Sequence, residues 1–172
     1  MTVRSVLRMG NPRLLEKARV VEEFDTPFLH TLCQDMHETM LSMTGVGLAA
    51  PQIGVSLRVV MFGAAENSRY PQAPPIPFTV LINPLIRVLD DRFEEDWEGC
   101  LSVPDLRGKV PRYKRIAFSG FDVSGALLEQ EASGFFARVV QHECDHLDGV
   151  LYPQRMKDLR SFGFESEISQ GR

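Results

Sequence analysis

Gly134-Phe135-Phe136-Ala137-Arg138-Val139-Val140-Gln141-His142-Glu143-Cys144-Asp145-His146-Leu147-Asp148-Gly149 is the stretch on which the reading of this chain turns. Gly134 to Leu147 reads as a helix, ended by Gly149. On such a helix His142 and His146 lie one turn apart on one face, about 6 Å from each other, so both imidazoles can bind the same metal ion. Glu143 is turned by about 100° from His142, out of the ligand set but beside a water on the ion. That is the place of a general base in metal-assisted hydrolysis. The plain alternative is an amphipathic helix in which both histidines are buried and hydrogen-bonded. Cys144 points away from both histidines and reads as core filling.

Toward the N-terminus, Leu29, Leu32, Cys33, Met36, Met40 and Met43 recur at helical spacing. Thr26 suits the N-cap of this second helix, Pro27 its first position and Gly45 its end. Leu57–Phe62, Thr79–Asn83, Leu85–Val88, Ile116–Phe121 and Ala126–Glu131 read as strands, the last two flanking a hairpin-type turn at Asp122–Gly125. A helix toward each end with strands between predicts an α+β fold rather than alternating βαβ units. The stretch Gly63 to Pro77, with Pro71, Pro74 and Pro75, reads as an ordered irregular loop rather than a linker. No repeat or other boundary appears, so residues 1–172 are read as a single domain.

Composition agrees with a globular protein: 44% of the 172 residues are hydrophobic and 24% charged, which argues against disorder. Lys and Arg number 19 against 23 Asp and Glu, a net charge of −4, so no basic field favours nucleic acid or an anionic membrane. No apolar run approaches the roughly 20 residues that span a bilayer. Met1 to Pro12 carries Arg4 and Arg8 with no apolar block behind them, so no secretory signal is expected. Cys33, Cys100 and Cys144 do not make a disulfide framework, which points to a reduced, intracellular setting.

Two histidines hold a catalytic ion poorly, and a third protein ligand is expected, with one position left open. Downstream of His146 there is no further His; Asp148, Asp158, Glu165 and Glu167 are the acids available. The competitor is Cys100 in Glu98-Gly99-Cys100-Leu101-Ser102, because a thiolate beside two imidazoles suits zinc, iron(II), cobalt(II) or nickel(II). A third segment, Gly45-Val46-Gly47-Leu48-Ala49-Ala50-Pro51-Gln52, has glycines that allow close backbone approach and an amide donor in Gln52. Taken alone it reads as a glycine-ended helix followed by a loop.

Together, Gly45–Gln52, Glu98–Ser102 and Gln141–His146 resemble, complete and in order, the GxGLAAxQ, EGCLS and QHExDH motifs of the polypeptide deformylase family. The intervening sequence is compatible from about Arg4 to Tyr152. The resemblance implies a compact domain with antiparallel or mixed sheets wrapped around a central metal-binding helix. It implies Cys100 as the third ligand, with His142 and His146, of one divalent ion whose fourth position holds water. The implied reaction removes the formyl group from the N-terminal formyl-methionine of new polypeptides and releases formate. In it Glu143 takes the proton of the water and passes it to the departing amine, while the Gln52 side chain and the Leu101 N–H donate to the formyl oxygen. Iron(II) is the implied physiological ion, with zinc, nickel or cobalt able to replace it.

The implied partners are N-formylmethionyl nascent polypeptides and, near its exit, the ribosome; neither nucleic acid nor membrane is expected, and the implied location is a bacterial cytoplasm. Gly45 and Gly47 would present backbone groups to an extended peptide. Val46, Phe135 and Val139 would form an apolar methionine pocket, with Glu98 and Gly99 also on the substrate side. Arg138 lies on the same helical face, where family members often have an aliphatic residue; its stem would cover apolar surface with the guanidinium in solvent. Arg112 and Glu98 form a candidate ion pair supporting the cysteine loop, a solvated arginine being the alternative. Trp97 reads as packing, a place lining the substrate groove being the alternative, and His30 and His37 as partly exposed; Ser161–Arg172 carries no assignment. The rival readings are a zinc endopeptidase and a silent homologue that binds peptides or the ribosome.

Overall fold

Two helices form where local capping and apolar spacing agree. The protein is described from a computed structural model over residues 2–64 and 74–170; Pro71 and its neighbours in the expected loop lie outside the described residues. Helix α1 (Pro27–Ser42) begins at Thr26, whose Oγ1 accepts from the Leu29 N–H at 3.2 Å. Leu29, Leu32, Met36 and Met40 are buried along its inner face, each contributing about 1.5–3 kcal/mol through loss of apolar surface from water. Met43 leaves that stripe and is exposed. The helix stops at Ser42, earlier than the expected Gly45: Thr44 takes the left-handed turn (φ 52°), and the Gly45 N–H closes onto Met40 O at 2.9 Å.

The strands are β1 (Gly47–Ala49), β2 (Val59–Ala64), β3 (Ile76–Cys100), β4 (Val103–Phe121), β5 (Leu127–Ser133) and β6 (Phe162–Phe164). They form one sheet in the order β1-β2-β3-β4-β5, every pairing antiparallel, with β6 also on β4. The segments Thr79–Asn83 and Leu85–Val88, expected as separate strands, belong to one 25-residue strand that continues through the charged run to Cys100. Its continuity is broken by register shifts, the first between Ile82 and Leu85. Asn83 sits there with φ 51°, a conformation asparagine tolerates, and its amide both accepts from and donates to the Val21 backbone at 2.9 Å. The turn at Asp122–Gly125 forms as expected: Asp122 Oδ1 accepts from Ser124 N and Ala126 N, and Gly125 takes φ 85°.

Helix α2 (Gly134–Leu147) has the expected bounds and is buried from Ala137 through Leu147. Ala137, Val140, Cys144 and Leu147 pack against Val60, Phe62, Leu81, Ile116 and Phe118 of the sheet. Gly149 (φ 72°) turns the chain after α2, and a Cβ there would lie 2.6 Å from the Leu15 carbonyl carbon. The stretch left unassigned contains β6 and a short helix α3 (Glu165–Gln170). No helix of the described residues is long and apolar enough to cross a membrane.

Candidate metal centre

Cys100 ends β3, at a register shift that pairs it with Val103, and so is delivered to the face where α2 carries His142 and His146. The three side chains are buried, and one ligand atom from each lies within 4.8 Å of the others. The two imidazole rings are 5.0 Å apart at 80°. The Cys100 sulfur is 3.3 Å from His146 Nε2 and receives N–H groups from Gln52 Nε2 and Ser102 N, each at 3.4 Å. A sulfur that collects donors in this way is suited to negative charge. Burial holds His146 well below the ordinary histidine pKa, in the neutral form a ligand needs. Burial also disfavours charge on His142, yet Cys100 and Glu98 outweigh it and raise its pKa well above the usual value. Two nitrogens with one sulfur fit a borderline-soft divalent ion.

Glu98 organises the second layer. Its Oε1 accepts from Arg112 Nε at 2.8 Å and from an Arg138 terminal nitrogen at 2.9 Å. Its Oε2 accepts from the other branch of Arg112 at 3.0 Å and meets His142 Nδ1 at 2.8 Å. Although burial opposes it, the charges and hydrogen bonds of Arg112 and His142 hold this carboxyl below the usual range. The expected Arg112–Glu98 pair is thus present and buried, and Arg112 also reaches Asp145 at 2.6 Å, which Arg155 holds at 2.7 Å. The expectation for Arg138 is corrected. Its guanidinium is buried, not solvated, because carbonyls of β3 and β4 face it along with Glu98.

Glu143 is buried, and its Oε2 has no hydrogen-bond partner. Burial pushes its carboxyl up to about 7, into the range where it can take and return a proton near neutral pH. Gly47 makes room for it, since a Cβ there would lie 2.6 Å from the Glu143 Cδ. Gln52 is fixed at both ends: Oε1 accepts from Ala49 N at 2.8 Å and Nε2 donates to Ser102 Oγ at 3.0 Å.

A cavity of about 480 Å³ of empty space, part of it open to solvent, brings these groups together. Gly45, Val46, Gly47, Gln52, Glu98, Gly99, Leu101, Phe135 and Val139 line it beside Cys100, His142 and Glu143. Two further residues line it. Trp97 takes the alternative its sequence reading left open and stands on the wall, with Lys109 Nζ 5.6 Å from its ring centroid, and Arg138 joins it. Ser102 and Tyr152 were not singled out. Ser102 lay inside the Glu98–Ser102 segment, but nothing in the sequence announced that Tyr152 stacks on His142 with ring centroids 6.1 Å apart. Glu165, a downstream ligand candidate, instead pairs with Arg107 at 2.7 Å. His30 pairs with Asp25 at 2.8 Å and His37 packs on Phe78, both away from the centre; Cys144 is core.

The family model described as polypeptide deformylase matches residues 3–162. The chain is 56% identical over 169 residues to peptide deformylase 1 of Nitrosomonas europaea, spanning 98% of this chain and 96% of the relative. It is 59% identical to peptide deformylase 1 of Bordetella pertussis over 162 residues, 94% of this chain and 92% of that one. A Met-Ala-Ser-bound crystal structure of a class I type b peptide deformylase from Acinetobacter baumannii superposes with a TM-score of 0.87 at 39% identity. It covers 90% of this chain and 99% of its own.

Proposed function

The chain belongs to the polypeptide deformylase family, and on that premise we propose how its own residues remove the formyl group from an N-terminal formyl-methionine. The observation that carries the reading is the convergence of Cys100, His142 and His146 beside a buried carboxylate with one unpartnered oxygen. Cys100, His142 and His146 would hold a divalent ion, which would supply Lewis acidity and lower the pKa of a water. Glu143 Oε2 takes a proton from the attacking water as it adds to the formyl carbon, then returns it to the amine nitrogen as the C–N bond breaks. Formate and a free amino terminus leave.

As the carbonyl oxygen gains charge, Gln52 Nε2 and the Leu101 N–H donate to it; loss of one such donor costs about 100- to 1,000-fold in turnover. Gly45 and Gly47 present backbone groups to the extended peptide, and the methionine side chain lies among Val46, Phe135 and Val139. Glu98 and Gly99 close the substrate side, and residues 1–172 act as one catalytic domain. Iron(II) is the physiological ion, with zinc, nickel or cobalt as substitutes, and nascent chains meet the enzyme near the ribosome in a bacterial cytoplasm.

The test compares formate release from formyl-Met-Ala-Ser with cleavage of internal peptide bonds by the metal-loaded protein. Formate with an intact peptide chain is expected. Cleavage in the chain interior without formate, or binding of the formyl-peptide without turnover, refutes the reading.

A further inference from the structure

Arg138 precedes His142 by one helical turn, so both project from one face of α2, and both reach the same carboxylate. Arg138 takes Glu98 Oε1 at 2.9 Å while His142 Nδ1 takes Oε2 at 2.8 Å. The terminal nitrogens of the guanidinium are also engaged by strand backbone. They hold Val110 O and Glu94 O, each at 2.7 Å, on the two paired strands β4 and β3. Charge balance alone does not require this arrangement, because Arg112 already holds Glu98 through two nitrogens. Arg112 is also shared with Asp145, at 2.6 Å. What Arg138 adds is a third point of attachment that ties the carboxylate to strand backbone.

We propose that Arg138 is a positioning residue of the metal centre: by anchoring Glu98 to β3 and β4 it fixes the ring of His142, while its stem walls the adjoining cavity. The inference rests on the reading of Cys100, His142 and His146 as metal ligands. An ammonium group cannot reproduce it, since only the planar fork spans a carboxylate and two carbonyls at once.

The test uses cobalt(II)-loaded protein, unsubstituted and as Arg138→Met and Arg138→Lys. Methionine keeps an apolar stem and removes the fork; lysine keeps the charge. Cobalt affinity of Arg138→Met is expected to fall about 10- to 100-fold, the usual cost of losing a group that orients a ligand, with a matching fall in kcat for formyl-Met-Ala-Ser. The visible d–d bands of the bound cobalt shift, and KM changes far less than kcat. Arg138→Lys changes in the same direction by a smaller factor.

Variants with wild-type cobalt affinity, bands and kcat overturn the proposal. So does a change confined to KM, which would leave Arg138 as cavity wall alone. If Arg138→Met does not fold, Arg138→Lys is judged by the same criteria. Failure of the unsubstituted protein to bind cobalt or release formate would instead overturn the ligand reading, and this inference with it.

Discussion

At the scale of single residues, the close approach of Gly47 to Glu143 carries the sharpest consequence. Gly47 lies in β1 with ordinary strand pairing to Phe62, so it is not needed for backbone conformation; it is needed because the Glu143 carboxylate occupies the space of a side chain. Gly47→Ala should destabilise the protein by about 1–3 kcal/mol in urea titration, the cost of overpacking a buried site, and lower formate release by about 100-fold, the scale of a misplacement near 1 Å at a reacting group. Glu143→Gln keeps size and removes the proton acceptor. It should retain bound metal, measured by elemental analysis, and lose about 100- to 10,000-fold in turnover. The place of Glu143 beside the two histidines was legible because spacing on one helix is a local property; the approach of Gly47 to it, which depends on how β1 meets α2, was not. Nor was the place of Arg138. Whether a long side chain ends in water or inside depends on which carbonyls a distant pair of strands turns toward it.

At the scale of elements, α1 rests on a cap that can be removed without touching the centre. Thr26→Ala should lower unfolding stability by about 1 kcal/mol in urea titration and leave formate release intact. Both long helices were legible from caps and apolar spacing, and α2 has the residue bounds that the pattern gives. The middle of the sheet was harder to read. Between Asp90 and Glu98 the side chains of β3 are mostly charged and exposed, and the strand is held there by backbone pairing to β4 rather than by an alternating apolar face. Strand β1 was hidden for the opposite reason: three residues hold no period, and only pairing with β2 makes them a strand. The same holds for β6, which exists by pairing with Leu106–Gly108 of β4.

At the scale of the whole molecule, the N-terminal arm is fastened to α1 by Asp35 and by Thr39, whose Oγ1 accepts from Arg4 N at 2.8 Å. Asp35 accepts from Thr2 N at 3.0 Å and from Arg4 Nε at 2.8 Å, and the hydrogen bond to Arg4, outweighing burial, holds its carboxyl below the ordinary value. A carboxyl lowered on folding stabilises the protein in full above its unfolded pKa of about 3.9, and that contribution is lost as pH falls through the folded value. The stability gap between wild type and Asp35→Asn should therefore be widest near neutrality and close below about pH 4, as followed by thermal unfolding across a pH series. A gap that widens on acidification would contradict the assignment.

Cys100 and His146 stand 46 positions apart, with β4, β5 and most of α2 strung between them. An ion clasped by both ends draws that span into a closed ring, and a cross-link of such length removes on the order of 4 kcal/mol of freedom from the unfolded chain. The catalyst and the clasp are thus one object. Such a ring could not shut until α2 has been synthesised, and loss of the ion would slacken the scaffold together with the centre.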